Sequence, residues 1–442
     1  MTGLNKKQYQ ASLPRGGFEL VIAGAGTGKT KTLVKKIENI LNNSSCLSEN
    51  ILILTFSRKA ALEIKKRVKE ELGAQARNLS AGTFHSFSLA FLKEKQIYLN
   101  QRFGFSNFPA VLKEEQKEII LDKFIRARLA DFNGLPKGVV VSLMEKINSL
   151  DKKTFHNLKK FSLDKRIKEV KDFFSSEKKR LNLIDYGDMI DFTITILREK
   201  RKFREEMNKR YQYILVDEFQ DTSQKNFELL KLLLPDRGGN LFVVGDDWQS
   251  IYGFRKARVE YIIKMKKYFP ELKIHNLDIN YRSKTEIVKL SNKFISHNKF
   301  RTKKKLKSFQ GQGGEIKFHK VISLAEEIFC INKIVSEVKE DLKIVVLYRN
   351  NRQGESLQEQ LPSYPHLKDR LEFMTMHASK GLEFDLVIVA GISDKIIPDR
   401  SSSLEEERRL FYVALSRAKT YLHLLYYPNL EGEFPRFIEE LQ

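Results

Sequence analysis

A chain of 442 residues is long for one ordinary core and points to about two to four domains of about 100–200 residues each. Hydrophobic residues make up 41% of it, with 31 Phe and 15 Tyr, which excludes wholesale disorder. Lys plus Arg number 79 against 56 Asp plus Glu, a net charge of +23 that calls for a polyanionic partner, nucleic acid or an anionic membrane. No apolar run nears the roughly 18 residues of a membrane span, and Met1–Gly17 has no apolar core of a signal peptide. The only cysteines are Cys46 and Cys330. They exclude a disulfide scaffold or a zinc module and fit a reducing, cytoplasmic setting, nucleoid-associated in a prokaryote.

The chain opens in alternating strand and helix. Phe18–Ile22 is a short apolar run, and Leu33, Val34, Ile37, Ile40 and Leu41 recur at helical spacing. Ile51–Phe56 reads as a buried strand, and Ala60, Ile64 and Val68 as one face of the next helix. Between Lys93 and Arg180 strand-like runs nearly vanish, and 21 Lys/Arg face 12 Asp/Glu, which predicts a basic helical insertion. Strands resume at Tyr213–Val216 and Leu241–Val244. After about Leu277 a second α/β rhythm begins, with strands at Ile344–Tyr348, Leu371–Met374, Leu386–Ala390 and Leu422–Tyr426. The pattern predicts two parallel-sheet domains, the first split by the insertion.

Two motifs carry phosphate chemistry. Ala23-Gly-Ala-Gly-Thr-Gly-Lys-Thr30 joins a predicted strand to a predicted helix, as a phosphate-binding loop requires. The backbone N–H groups of Gly24, Ala25, Gly26, Thr27 and Gly28 turn around a phosphate, and the helix N-terminus adds positive dipole. Lys29 is placed for the β- and γ-phosphates and Thr30 for Mg²⁺, while Ala23 stands where the first Gly is usual. The apolar run Tyr213–Val216 ends in Asp217 and Glu218. An Asp at such a strand end holds Mg²⁺, and the next Glu serves as general base toward water. A ligand-free glycine turn and a solvated Asp-Glu are the competing readings, and each is weakened by the presence of the other motif.

Asp217-Glu-Phe-Gln-Asp-Thr-Ser223 and Val244-Gly-Asp-Asp-Trp-Gln-Ser-Ile-Tyr252 resemble motifs II and III of the UvrD/Rep/PcrA group of superfamily 1 helicases, with a spelling similar to DNA helicase IV. Six further segments resemble that group's motifs in family order: Leu4–Gln8, Thr55–Ala61, Gly82–Ser86, Asn280–Ser283, Thr375–Phe384 and Glu405–Ala418. The resemblance implies an ATP-hydrolysing DNA helicase or translocase, travelling 3′→5′ along single-stranded DNA or a 3′-tailed duplex, with a role in DNA repair. It implies that Gln8 reads adenine, Tyr281 stacks on it, and Lys31 flanks the base where relatives carry Arg. Gln249, Arg282 and Arg417 would meet the γ-phosphate, and Glu383 the ribose.

The residues also speak for themselves. Leu410, Val413, Ala414 and Arg417 fall on one helical face. An Arg on an apolar face needs an anionic partner, either a γ-phosphate across a cleft or an ordinary carboxylate such as Glu407 or Asp385. A single strand is gripped by stacking aromatics and cations. Phe56, Phe84, Tyr252, Phe254 and Arg255, with Thr83, His85 and His377 from the resemblance, are the candidates. Core packing competes for each Phe, least for Phe254 in its polar setting. The run Lys303–Lys307 either tracks phosphates or is a solvated surface.

The expected architecture is α/β, two RecA-like P-loop domains with a helical insertion in the first. Residues 1–92 and 185–277 form the ATP-binding domain (1A), 93–184 the insertion (1B) and 278–442 the second domain (2A). Relatives insert a large duplex-contacting domain, 2B, between motifs IV and V; here only Pro362–Arg370 is available for it, and Gly391–Leu404 is short where relatives carry a strand-separating hairpin. The expected partner is single-stranded DNA, with no membrane contact, and the expected state a monomer or weak oligomer. An ATP-switched, DNA-binding accessory factor is the alternative. A small-molecule kinase needs neither the charge nor the later motifs, and a fused nuclease finds no carboxylate cluster after motif VI.

Overall fold

The computed structural model describes residues 3–127, 163–236, 238–338, 341–361, 364, 370–400, 402–429 and 431–442. Residues 128–162 of the expected basic insertion lie outside the described residues. Its described flanks include the helices Glu114–Ala127 and Leu163–Arg180 and a short parallel pair, β4 (Ala110–Val111) with β5 (Leu183–Ile184).

The first sheet has six strands in the order β3-β2-β6-β7-β1-β8. They are β1 (Phe18–Ala23), β2 (Ile51–Thr55), β3 (Ser80–Thr83), β6 (Tyr213–Val216), β7 (Asn240–Gly245) and β8 (Lys273–Leu277), all parallel. Strands buried on both faces read as unbroken apolar runs, and Ile51–Leu54 of β2 and Leu241–Val244 of β7 do so, while β1 carries the buried Glu19, paired with Lys36. Alternate residues feed opposite faces: Leu20, Leu52, Leu54 and Val243 join one apolar cluster, Val21, Ile51, Ile53 and Val244 the other.

The second sheet has the order β11-β15-β14-β12-β13. Its strands are β11 (Glu315–Lys320), β12 (Ile344–Tyr348), β13 (Leu371–Thr375), β14 (Phe384–Ile392) and β15 (Ala418–Tyr426), again parallel. Val345, Leu347, Val387 and Leu422 pack on one side, Ile344, Val346, Ile388 and Leu425 on the other. A short parallel pair, β9 (Ile279–Asn280) with β10 (Lys307–Ser308), lies beside the phosphate loop.

The two lobes share apolar material. Ala25, Trp248 and Ile251 of the first lobe belong to the cluster built on the second sheet. Trp248 is buried, meets Tyr412 edge-on at 5.5 Å and donates its indole N–H to the Thr302 carbonyl at 3.3 Å. Trp248→Ala should cost about 3–5 kcal/mol, read as a lower urea midpoint by far-ultraviolet circular dichroism.

Candidate nucleotide cleft and strand interface

The phosphate loop turns between β1 and the helix Lys29–Asn43. Gly26 and Gly28 have φ of 66° and 79°, a region that only glycine enters at no steric cost. A Cβ on Gly26 would also lie 2.8 Å from the Arg282 Cβ. The second lobe grips the loop through its carbonyls: Asn280 Nδ2 donates to Ala25 O at 2.9 Å and Tyr281 N to Gly26 O at 2.8 Å. Asn5 caps the first helix and donates its amide to the Tyr281 hydroxyl at 2.8 Å. Gln8 is buried and fully engaged: its amide donates to Thr27 O at 2.9 Å and accepts from Asn5 N at 2.9 Å. Lys31 donates to the Gly3 carbonyl at 2.8 Å.

Asp217 and Glu218 close β6. Glu218 has φ 52°, a left-handed conformation that costs a non-glycine residue energy and is held by its surroundings. Burial and the Glu218 charge push the Asp217 carboxyl up to about 7. Burial works the same way on Glu218, but the ammonium groups of Lys29 and Lys380 prevail and hold it at about 2. Lys380 of the second lobe sits 2.5 Å from Asp221 and 3.7 Å from Glu218. Gln220 links this group onward: its amide donates to Glu218 and accepts from Asp246 N at 2.9 Å.

Arg417 is 1% exposed. The helix Leu404–Leu415 ends two residues before it, so Arg417 lies in the turn beyond the helix and not on the helical face that its spacing suggested. There its Nε donates to Val413 O at 2.9 Å, one of the carbonyls a helix end leaves unpaired. Its other donors reach Leu382 O at 2.9 Å, Ser416 Oγ at 3.0 Å and Gln249 Oε1 at 3.3 Å. Among the described residues no carboxylate forms an ion pair with it: Glu407 pairs with Arg349 at 2.8 Å and Asp385 with Lys419 at 3.4 Å. Burial and the nearby Arg282 push Arg417 down to about 9. Arg282 and Glu383, expected at γ-phosphate and ribose, pair with each other at 2.9 Å.

A row of rings crosses from one lobe to the other. Phe56 stacks on Tyr252 at 4.8 Å, Tyr252 meets Phe254 at 5.8 Å, and Phe254 meets His377 at 5.7 Å. The Arg255 guanidinium lies 5.4–5.8 Å from the first three rings. Phe254 is 57% exposed, so it is not a core residue. Burial and then the Arg349, Lys380 and Arg255 charges lower His377 to about 4. Thr83, Phe84 and His85 stand apart from this row, and Phe84 is a buried core residue. The Thr83 hydroxyl caps the helix Phe84–Glu94, and His85 meets Tyr186 edge-on at 5.6 Å.

Sequence reasoning passed over Lys380, Asp221, Asp246 and Tyr186, although the first three lie inside the quoted motifs. It also misread Lys304. Within the run Lys303–Lys307 this side chain is buried and paired with Asp246 and Asp247, neither solvated nor free to track phosphates.

Two parallel sheets, a phosphate loop closing one and a buried arginine of the second lobe meeting Gln249 of the first define a P-loop protein of two RecA-like domains. The comparisons with known proteins agree. The model of the UvrD/REP helicase N-terminal domain matches residues 4–270, and that of the UvrD-like helicase C-terminal domain matches residues 275–366 and 356–429. The chain belongs to the UvrD/Rep helicase family. It is 32% identical over 402 residues to ATP-dependent DNA helicase Rep of Buchnera aphidicola, covering 84% of this chain and 59% of that protein. It is 31% identical over 364 residues to ATP-dependent DNA helicase PcrA of Staphylococcus epidermidis and of Staphylococcus aureus, covering 80% of this chain and 49% of each. The chain thus spans about half the length of the curated relatives it matches.

The Asp217 shift fixes a pH dependence. A carboxyl raised on folding stabilises the fold below its unfolded value near 4, and that contribution is lost as pH rises through about 7. Asp217→Asn should therefore match the wild-type melting temperature at pH 4 and exceed it increasingly up to pH 7, levelling beyond, in nucleotide-free scans.

Proposed function

We propose that the chain is an ATP-driven motor that moves along single-stranded DNA, 3′→5′, and acts in DNA repair. The observation that carries this is Arg417, a buried guanidinium that meets Gln249 and carbonyls but no carboxylate among the described residues, at the seam between the lobes. An uncompensated buried charge is costly, and a transferred phosphoryl group is the anion such a position serves.

The roles follow from placement. The loop from Ala23 to Thr30 cradles phosphates, with Lys29 on the β- and γ-oxygens. Thr30 and Asp217 are the residues that would hold Mg²⁺. Asp217 fits a divalent cation, because burial and Glu218 disfavour its charge until a cation offsets it. When bound, the metal supplies charge neutralisation on the phosphates. Glu218, held ionised by Lys29 and Lys380, accepts a proton from the attacking water. Gln249, Arg282 and Arg417 meet the γ-phosphate, and Arg282 leaves Glu383 to do so, freeing that carboxylate for the ribose. Tyr281 stacks on adenine beside Gln8 and Lys31, Gln8 exchanging its bond to Thr27 for one to the base. The ring row Phe56, Tyr252, Phe254 and His377, with Arg255, holds the strand, and Thr83 and His85 meet it apart from the row.

On this reading residues 1–92 with 185–277 and residues 278–442 are the two motor domains, and 93–184 the insertion. Only residues 361–370 lie between the helix Asn351–Gln360 and β13, which favours a monomer that translocates and separates strands weakly. The same feature favours the second reading, an ATP-switched factor on DNA. Stepping on a labelled single strand, compared with unwinding of a 3′-tailed duplex, separates them: processive unwinding by limiting monomer overturns weak separation, and no strand-stimulated movement supports the switch. The proposed setting is cytoplasmic and nucleoid-associated; no helix among the described residues is long and apolar enough to cross a membrane.

Glu218→Gln should still bind ATP while turnover falls by about 10²–10⁴-fold; near-normal turnover in a coupled assay removes the base assignment. Phe254→Ala should weaken single-strand affinity by about 1–3 kcal/mol and leave strand-independent turnover intact, as titration against labelled oligonucleotide will show. Binding should fall steeply with salt.

A further inference from the structure

Beyond the residues expected to meet nucleotide, one buried cation of the second lobe reaches into the first. The segment from Thr302 to β10 runs as a strap between the phosphate loop and motif III. Thr302 N and Oγ1 donate to Asp247 at 2.7 and 2.5 Å, and β10 pairs with β9. A Cβ placed on Gly24 would strike the Leu306 side chain at 2.4 Å, so strap and loop are in close contact. From this strap the Lys304 ammonium extends to Asp246 Oδ1 at 2.5 Å, Asp247 Oδ1 at 3.0 Å and Ala23 O at 3.2 Å, and lies 4.6 Å from the Trp248 ring centroid. Its side chain is 3% exposed and both carboxylates are fully buried.

Asp246 passes this contact on. Its second oxygen, Oδ2, accepts the Gln249 amide N–H at 2.5 Å, and the Gln249 carbonyl Oε1 then accepts from Arg417 at 3.3 Å. A glutamine amide has a donor end and an acceptor end. Asp246 takes the donor end and so turns the acceptor end to the arginine. The order Lys304, Asp246, Gln249, Arg417 therefore begins and ends in the second lobe and passes through the first.

We propose that Lys304 is a positioning residue for ATP hydrolysis: seated by the strap, it fixes Asp246 so that Gln249 presents its carbonyl to Arg417. The inference rests on the reading of the cleft as an ATPase site. Lys304, whose ammonium bonds Asp246, Asp247 and the Ala23 carbonyl, acts through Gln249. Its seating makes the Gln249–Arg417 contact depend on the strap lying against the phosphate loop.

The test uses the full chain, saturating oligo-dT and ATP, and the variants Lys304→Met, Lys304→Arg, Gln249→Ala and the two Lys304 variants combined with Gln249→Ala. Lys304→Met should lower kcat about tenfold with the KM for ATP changed by less than about twofold, the mark of an interaction used in the transition state. Lys304→Arg, which keeps the charge, should recover part of that loss. In the Gln249→Ala background neither Lys304 change should slow turnover further, since residues acting in one chain are not additive. Wild-type kcat in Lys304→Met overturns the inference, as do losses that multiply in the combined variants. Removing one partner of a buried ion pair can unfold a protein, so circular dichroism and the emission of Trp248, the chain's only tryptophan, check each variant. If Lys304→Met does not fold, Lys304→Arg decides: a kcat loss that vanishes in the Gln249→Ala background upholds the inference, and wild-type kcat reduces Lys304 to a structural counter-ion and overturns it. A wild-type chain that hydrolyses no ATP removes the reading of the cleft, and this inference with it; a hydrolysing wild type with unaffected variants removes this inference alone.

Discussion

The seam between the lobes is governed by the cost of burying charge. The first lobe brings Asp217, Glu218, Asp221, Asp246 and Asp247 to the ends of β6 and β7, all out of bulk water except the partly exposed Glu218. Left alone, such a set would repel itself and hold protons. The second lobe answers with Lys304 against Asp246 and Asp247, and with Lys380 against Asp221 and Glu218. Arg417 enters the same seam beside a glutamine amide and three oxygens of its own lobe, with no carboxylate in ion-pair contact among the described residues. The proposed site rests on that asymmetry: two cations are neutralised by protein carboxylates, and the third has no such partner among the described residues.

Geometry supports the same division of labour. The phosphate loop is held at its carbonyl side by Asn280 and the Tyr281 backbone, which leaves its N–H side to a ligand. The ring row lies along the motif III end of the seam, with Phe56, Tyr252 and Phe254 from one lobe and His377 from the other. Lys380 joins the two regions, since it pairs with Asp221 and lies 4.8 Å from the Tyr252 ring centroid. A change at the carboxylates thus has a short path to the rings, through one lysine.

Much of this was legible in the sequence because buried parallel strands write themselves as apolar runs. Tyr213–Val216 and Ile344–Tyr348 were read with the bounds the structure gives. Besides the two-residue strands β4, β5, β9 and β10, the strands that escaped, β3, β8 and β11, all lie at sheet edges, where one side meets solvent or a loop and the run turns polar, as in Lys-Ile-His-Asn-Leu of β8. The phosphate loop and the Asp-Glu pair were legible because their chemistry needs neighbours in sequence. Lys304, Lys380 and the Arg282–Glu383 pair were not, because their partners lie far away in the chain and a lysine in a basic run gives no sign of burial. Arg417 shows the intermediate case. Its partner problem was visible from the apolar residues around it, but its place beyond the helix end was not.

The connection over residues 361–370 leads into β13, the outermost strand of the second sheet, which pairs with β12 on one side only. Chain added there meets the sheet at its rim and displaces no interior strand, although Leu361, Tyr364 and Leu371 pack on the apolar cluster beside it. That rim is a socket, a place where the chain can lengthen or shorten without reordering the strands of the sheet. Evolution is free at this place to alter what a chain of this family does with a duplex without redesigning how it uses a nucleotide.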